Sequence, residues 1–156
     1  MLGTPVDTWY VWIGVSVVAL AILGVALSLP ATAPPDAVGP AETIDRTVAH
    51  PYPATAEHPI DAAEVRIGPH ELELRTGGES SVHRFTTGPV TPALTDDRLE
   101  SILYGAVPSH FFGSPAAFEQ AAIDAQLRDA GWHSAGEQLI VRTVHWEGVD
   151  VTLVGM

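Results

Sequence analysis

Histidines are the side chains of this sequence best suited to bind a metal or to transfer protons. There are seven of them: His50, His58, His70, His83, His110, His133 and His145. Protein zinc sites usually take ligands at short spacings, as in HExxH, and none of these histidines has such a partner. The spacing favours scattered histidines, on the surface or partly buried. We therefore predict no metal site and no cofactor.

One pair of histidines could still meet across a turn of the chain. His70 and His83 flank a predicted hairpin, and Glu73 lies between them in the sequence. A zinc site would need a third ligand together with groups that orient the ligands. An enzyme is one functional hypothesis for the chain, and convergence of these three side chains would favour it.

Motifs for nucleophilic catalysis and phosphate binding are absent from the sequence, which has no GxSxG, GxGxxG or GxxxxGK[ST]. Ser114 in FFGSP is typical of a helix N-cap. Asp96 and Asp97 could act as an acid/base pair, but the positive end of a helix also favours such residues. We therefore predict that the protein has no catalytic residues and is not an enzyme.

Two adjacent aromatic residues, Phe111 and Phe112, form a candidate contact patch. They lie between two predicted helices, in a loop bounded by Pro108 and Gly113. Neighbouring aromatics in a loop can present an exposed apolar surface to a partner. The alternative is that at least one of them packs into the core, and the sequence leaves both interpretations open.

The longest apolar stretch of the chain runs from Trp9 to Leu29 without a charged residue. About 20 apolar residues in a helix span the hydrocarbon core of a bilayer. The pattern predicts a transmembrane helix over 9–29, after a short tail over 1–8. Aromatic side chains favour the headgroup layer, so Trp9, Tyr10 and Trp12 are predicted to lie at the membrane interface.

The segment has two alternatives to a retained membrane anchor, a buried helix of a soluble protein and a cleaved signal peptide. A buried helix of a soluble protein would normally show a polar face. A cleaved signal peptide would have a shorter apolar region after basic residues. Pro30 is predicted to end the helix, and Pro30-Ala31-Thr32-Ala33 could mimic a small-residue cleavage site. No Lys or Arg precedes Arg46 to orient the segment. By default, we expect a single-pass protein of the cell membrane with its folded domain outside.

The net charge is −12, from 19 acidic and 7 basic residues. All the basic residues are arginines, and the chain contains neither Lys, Cys nor Asn. No basic patch is available for phosphates, so nucleic acid is not an expected partner. A chain this acidic and free of lysine is typical of an extreme halophile, and an organism with a high-GC genome is the alternative.

Residues 30–59 are rich in proline and are predicted to form a linker, with a short helix marked by Ile44 and Val48. A small acidic α+β domain follows over 60–156. Alternating residues and turn signals predict two hairpins, one around Gly77 and one around Gly148. Two helices between them complete the predicted fold, an antiparallel sheet with both helices on one face.

Several segments carry a family resemblance: DTWYVWIGVS, LSLPATAPPDA, FTTGPVTPAL, SPAAFEQA and WEGVDVTLV. With them the chain resembles an uncharacterised family of haloarchaeal single-pass membrane proteins. The resemblance implies a link to gene clusters for type IV pilus-like machinery, and hence a role in a surface assembly. The sequence departs from pilins because no basic residue precedes the apolar segment.

Two non-catalytic functions follow from these patterns. The first is a structural or accessory component of a cell-surface assembly, with membrane lipid and other membrane or surface proteins as partners. The alternative is a membrane-tethered ligand-binding or sensory domain. An apolar pocket near Phe111, Phe112 and Trp132 would favour the second function.

Overall fold

A computed structural model describes the backbone of residues 6–28 and 33–156 and the side chains of residues 9–25 and 33–156. Contacts divide the chain into one unit over residues 1–33 and a second unit over residues 34–156. The predicted end of the apolar helix at Pro30 and the first part of the candidate cleavage site lie outside the described residues.

The first unit contains one described helix, α1 (Val6–Ser28), so the last residues of the predicted tail are helical. All side chains described over 9–25 are exposed. Within residues 6–28 and 33–156, no helix combines the length and the apolar character needed to cross a membrane. The predicted transmembrane, single-pass helix over 9–29 is therefore wrong.

The second unit contains three further helices and eight strands. The helices are α2 (Val38–Val48), α3 (Asp97–Leu103) and α4 (Pro115–Leu127), with a 3-10 turn at Pro108–His110. The strands are β1 (Thr55–Pro59), β2 (Glu64–Ile67), β3 (Glu71–Thr76), β4 (Glu79–Arg84), β5 (Thr91–Pro92), β6 (His133–Ser134), β7 (Gln138–Trp146) and β8 (Val149–Gly155).

The strands form two sheets rather than the single predicted sheet. The central sheet has the strand order β1-β7-β8-β5, and the outer sheet has the order β4-β3-β2-β6. Neighbouring strands are antiparallel except β5 and β8, which are parallel. The predicted α+β class is correct, but the predicted architecture lacks one of the two sheets.

The central sheet is buried on both faces. One face packs against α3 and α4, and its core contains Leu99, Phe118 and Leu153. The other face packs against α2 and the outer sheet, where Leu72 and Leu139 are buried. Helices α3 and α4 thus share one face, as predicted, while α2 and the outer sheet cover the opposite face.

The folded unit begins at Pro34, well before the boundary that the sequence predicts at residue 60. Helix α2 buries Ile44 in the core, and β1 pairs with β7 along its whole length, from Thr55 opposite Arg142 to Pro59 opposite Gln138. Strand β1 is an edge strand, which tolerates proline because one side of its backbone has no partner strand. The prolines that suggest a linker therefore belong to folded structure.

Both predicted hairpins are present, and each closes through two residues with positive φ. These residues are Gly77 and Gly78 between β3 and β4, and Glu147 and Gly148 between β7 and β8. Positive φ at both central positions is the geometry of a type I′ turn, which matches the twist of the strands. The turns therefore fix which residues face each other across each hairpin.

Gly155 leaves no room for a side chain at the end of β8. A Cβ atom there would lie 2.7 Å from Leu103 Cδ2. We expect Gly155→Ala to lower the free energy of unfolding by about 1–3 kcal/mol, the usual cost of overpacking a core, as measured by urea denaturation. Gly88→Ala is the control, because a Cβ atom there meets open space. Equal losses in the two variants would contradict this packing explanation.

Candidate functional site

A cleft of about 570 Å³ opens on the central sheet, on the face that carries Leu139 and Val141. Successive side chains along β7 point to opposite faces of the sheet. Thr143 and His145 therefore lie on the same face as Leu139 and Val141. The polar end of this row of side chains forms the floor of the cleft. The lining consists of Val48, His50, Pro51, Tyr52, Pro53, Pro89, Thr143, His145, Asp150 and Thr152.

The floor consists of two cross-strand pairs of the β7–β8 hairpin. His145 lies opposite Asp150, and Thr143 lies opposite Thr152. The distance between His145 Nδ1 and Asp150 Oδ1 is 2.7 Å, and the two threonine hydroxyls are 3.2 Å apart. When His145 Nδ1 donates its proton to the carboxylate, Nε2 is left to accept a hydrogen bond from a ligand.

One wall of the cleft is the loop His50–Pro53, which follows α2. The Tyr52 N–H donates to His50 Nδ1 over 3.3 Å, and the two ring centroids are 6.1 Å apart. The proline rings of Pro51 and Pro53 fix φ on either side of Tyr52. The Tyr52 side chain is 71% exposed, so the loop presents a largely uncovered aromatic ring beside the polar floor.

Asp45 connects this wall to the opposite one. Its carboxylate accepts hydrogen bonds from the backbone N–H groups of Thr86 (3.0 Å) and Thr87 (2.9 Å) and from both threonine hydroxyls. These threonines lead into Pro89, which lines the cleft from the other side. Burial raises the pKa of Asp45, but the hydrogen bonds from Thr87 and Thr86 outweigh it and lower the pKa below its ordinary value. We call these contacts the Asp45 clamp.

The cleft is better equipped for binding than for covalent chemistry. Among the residues that the structure describes, no hydrogen bond joins the His145 ring to a serine or threonine hydroxyl, as an activated nucleophile would require. Within the described residues, no cluster of three or more His, Cys, Asp or Glu side chains could bind a metal ion. The cleft therefore offers hydrogen bonds and an aromatic surface to a ligand.

Phe111 and Phe112 do not line the cleft, and the other aromatic residues singled out in the sequence belong to the first unit. Trp9, Tyr10 and Trp12 belong to α1 and are 69%, 68% and 65% exposed. Phe111 is 39% exposed, whereas Phe112 is buried, with its ring centroid 5.5 Å from that of Phe118. The predicted contact patch therefore retains one exposed ring, and the other ring belongs to the core.

Trp132 does not join Phe111 and Phe112 in a pocket. The Arg75 guanidinium lies 4.2 Å from its ring centroid, and the Arg66 guanidinium lies 5.5 Å from it. Both arginines belong to the outer sheet, whereas Phe112 packs in the core beside α4. Phe111, Phe112 and Trp132 therefore do not form the apolar pocket that would favour a ligand-binding function.

The candidate catalytic residues of the sequence do not converge either. Glu73 lies opposite Val82 and pairs with Arg66, whereas His83 lies opposite Leu72. Residues of opposite parity along a strand point to opposite faces, so Glu73 and His83 face away from each other. His70, Glu73 and His83 thus provide no shared site.

The two other chemical candidates act as helix caps. Asp96 caps α3 by accepting a hydrogen bond from Arg98 N, and Ser114 caps α4 through Ala117 N at 3.2 Å. The hydrogen bond from the Arg98 side chain lowers the pKa of the Asp96 carboxyl below its ordinary value. A carboxylate held in its charged form by an arginine is poorly suited to act as a general acid.

A comparison with protein families gives one match. The model described as Family of unknown function (DUF7283) matches residues 3–144, which include α1, the Asp45 clamp and most of β7. The chain belongs to this family. The cleft thus lies largely in the matched part of this DUF7283 protein, with His145, Asp150 and Thr152 beyond it. No curated protein and no solved structure matches the chain.

The DUF7283 match does not test the other implications of the sequence resemblance, which stay predictions. A description as a family of unknown function does not address haloarchaeal origin, a link to pilus-like gene clusters, or location in the cell.

Proposed function

We propose that this DUF7283 protein is a non-catalytic binding protein whose domain over residues 34–156 takes a small polar ligand in the cleft. The observation that carries the proposal is the cleft of about 570 Å³ with its polar floor and aromatic wall. Small-molecule sites in proteins usually occupy about 300–1,000 Å³ and combine apolar walls with a few polar groups. The lining of this cleft has that composition.

The cleft is organised before a ligand arrives. Its floor belongs to the β7–β8 hairpin at the centre of a sheet. Its two walls are tied together by the Asp45 clamp, between α2 and the segment that follows β4. A ligand therefore needs to order little of the protein, and less of the binding free energy is lost to that ordering.

A fragment screen monitored by protein NMR tests this proposal. We expect the fragments that bind to shift amide signals of residues 50–53, 143–145 and 150–152, and we expect His145→Ala to reduce both their number and their affinity. His110→Ala is the matched control, because His110 is an exposed histidine outside the cleft. Fragment shifts scattered over the domain, or equal losses in the two variants, would contradict the proposal.

Attachment to a larger cell-surface assembly is a second candidate function. The observation that favours it is the exposed apolar surface of α1 over residues 9–25, since surfaces of this kind commonly mark interaction sites. A photo-crosslinking residue at Val17 should then capture one discrete partner in cells, and the same residue at the exposed Val82 should not. Identical crosslinking patterns would argue against it. Lipid contact of Trp9, Tyr10 and Trp12 stays a prediction.

A further inference from the structure

We propose that the ligand of the cleft is a neutral saccharide. This inference rests on the proposed binding function of the cleft and assigns it a ligand class. Four properties of the lining support it: its charge, its hydrogen-bonding groups, its apolar wall and its volume.

The charge of the lining disfavours anionic ligands. Among the residues that the structure describes, no arginine lines the cleft, and the only carboxylate in its lining is that of Asp150. The whole chain carries a net charge of −12. An anionic ligand such as a phosphate or a sugar acid would meet a like charge with no arginine in the lining to offset it.

The hydrogen-bonding groups of the floor suit a ligand with several hydroxyls. The Asp150 carboxylate and His145 Nε2 can accept hydrogen bonds, and the threonine hydroxyls can both donate and accept. These groups come from neighbouring strands, where opposite residues lie about 5 Å apart. Hydroxyls on alternate carbons of a sugar ring can each donate and accept hydrogen bonds over a similar spacing. A simple ammonium group only donates hydrogen bonds, so it would leave the threonine hydroxyls without an acceptor on the ligand.

The apolar wall matches the other side of a sugar ring. A pyranose carries its hydroxyls around the rim and presents a face of C–H groups, which packs on an aromatic ring. Tyr52 offers such a ring at 71% exposure, and Pro89 lies on the opposite wall. A proline-rich peptide would require a series of parallel aromatic ridges, whereas this cleft has one tyrosine beside a polar floor.

The volume and shape of the cleft fit one or two sugar units. A space of about 570 Å³ exceeds that of a single ring, and the Tyr52 side of the cleft is exposed to solvent. An open cleft can receive one unit of a longer chain without enclosing its ends. The binding is therefore expected to be stronger for a disaccharide than for the corresponding monosaccharide.

Titration calorimetry and saturation-transfer NMR on the full chain test this inference. The probes are glucose, galactose, mannose and N-acetylglucosamine with their disaccharides, and the anionic analogue glucuronate. We expect saturable binding of at least one neutral sugar and at least tenfold weaker binding of glucuronate. Tyr52→Ala and Asp150→Asn should each weaken neutral-sugar binding at least fivefold. Tyr104→Ala, at an exposed tyrosine outside the cleft, should leave it unchanged.

Several results would overturn the inference. These are the absence of binding by every neutral sugar in the panel, equal or tighter binding of glucuronate, and an equal loss in Tyr104→Ala. If fragments bind in the cleft while no sugar does, the saccharide assignment fails and the binding function stands. If the fragments do not bind in the cleft either, both the saccharide assignment and the proposed binding function fail.

Discussion

Replacing Phe118 with alanine is expected to lower the free energy of unfolding by about 3–5 kcal/mol, the usual cost of removing a fully buried phenylalanine. Phe118 is inaccessible to solvent. Its ring centroid lies 5.5 Å from that of Phe112 and 6.2 Å from that of Trp146, so it joins α4 to the central sheet. The alanine variant would leave a cavity among rigid rings that cannot easily collapse. Equilibrium denaturation in urea, followed by tryptophan fluorescence, measures the loss.

Phe111→Ala is the control for this variant, because it removes the same atoms from a side chain that is 39% exposed. We expect it to cost about 1–2 kcal/mol, less than Phe118→Ala, since only part of the Phe111 side chain is buried. A loss in Phe111→Ala equal to that in Phe118→Ala would show that the packing on α4 is not what stabilises this side of the sheet.

Asp45→Asn is expected to lower the free energy of unfolding by about 1–3 kcal/mol, the range for hydrogen bonds to a charged group. The asparagine keeps the shape of the side chain but loses the charge and one acceptor oxygen. The backbone N–H groups of Thr86 and Thr87 would then compete for the remaining oxygen. Glu42→Gln, at an exposed position of the same helix, is the control and should change stability by less than about 0.5 kcal/mol.

The effect of Asp45→Asn should also depend on pH. The folded protein holds the pKa of Asp45 below its ordinary value of 3.8. The carboxylate therefore contributes its full stability above the unfolded pKa, and this contribution is lost as the pH falls through the folded value. The difference between wild type and variant should be largest near neutral pH and shrink below about pH 4. A difference that stays constant down to pH 2 would rule out a charged carboxylate as its source.

Turn chemistry and alternation made part of the fold predictable. The Gly77 and Gly148 turns identify both hairpins, and Leu72 and Leu74 alternate with charged residues because one face of β3 is buried. The second sheet was not predictable in this way. Leu139, Ile140 and Val141 form a continuous apolar run, because β7 is covered on both faces. Apolar and polar residues no longer alternate in such a strand, so its sequence does not indicate how many layers of helices and sheets pack around it.

The candidate site was predictable only in its floor. A two-residue turn at Glu147 and Gly148 already implies that His145 lies opposite Asp150, so the polar pair could be found from the hairpin alone. The wall around Tyr52 comes from a segment that its prolines assigned to a linker. The Asp45 clamp joins residues about forty positions apart through an ordinary aspartate and two threonines. No local pattern marks such a contact.

The strand order of the central sheet also affects when this protein can fold during synthesis. Strands β7 and β8 are its two middle strands, and they follow every other helix and strand along the chain. Both cores need them, through Leu139 on one face and Leu153 on the other. Neither core can close on a nascent chain that stops short of β8. A chain truncated before β8 is thus expected to be degraded by proteases rather than to form a shorter working domain.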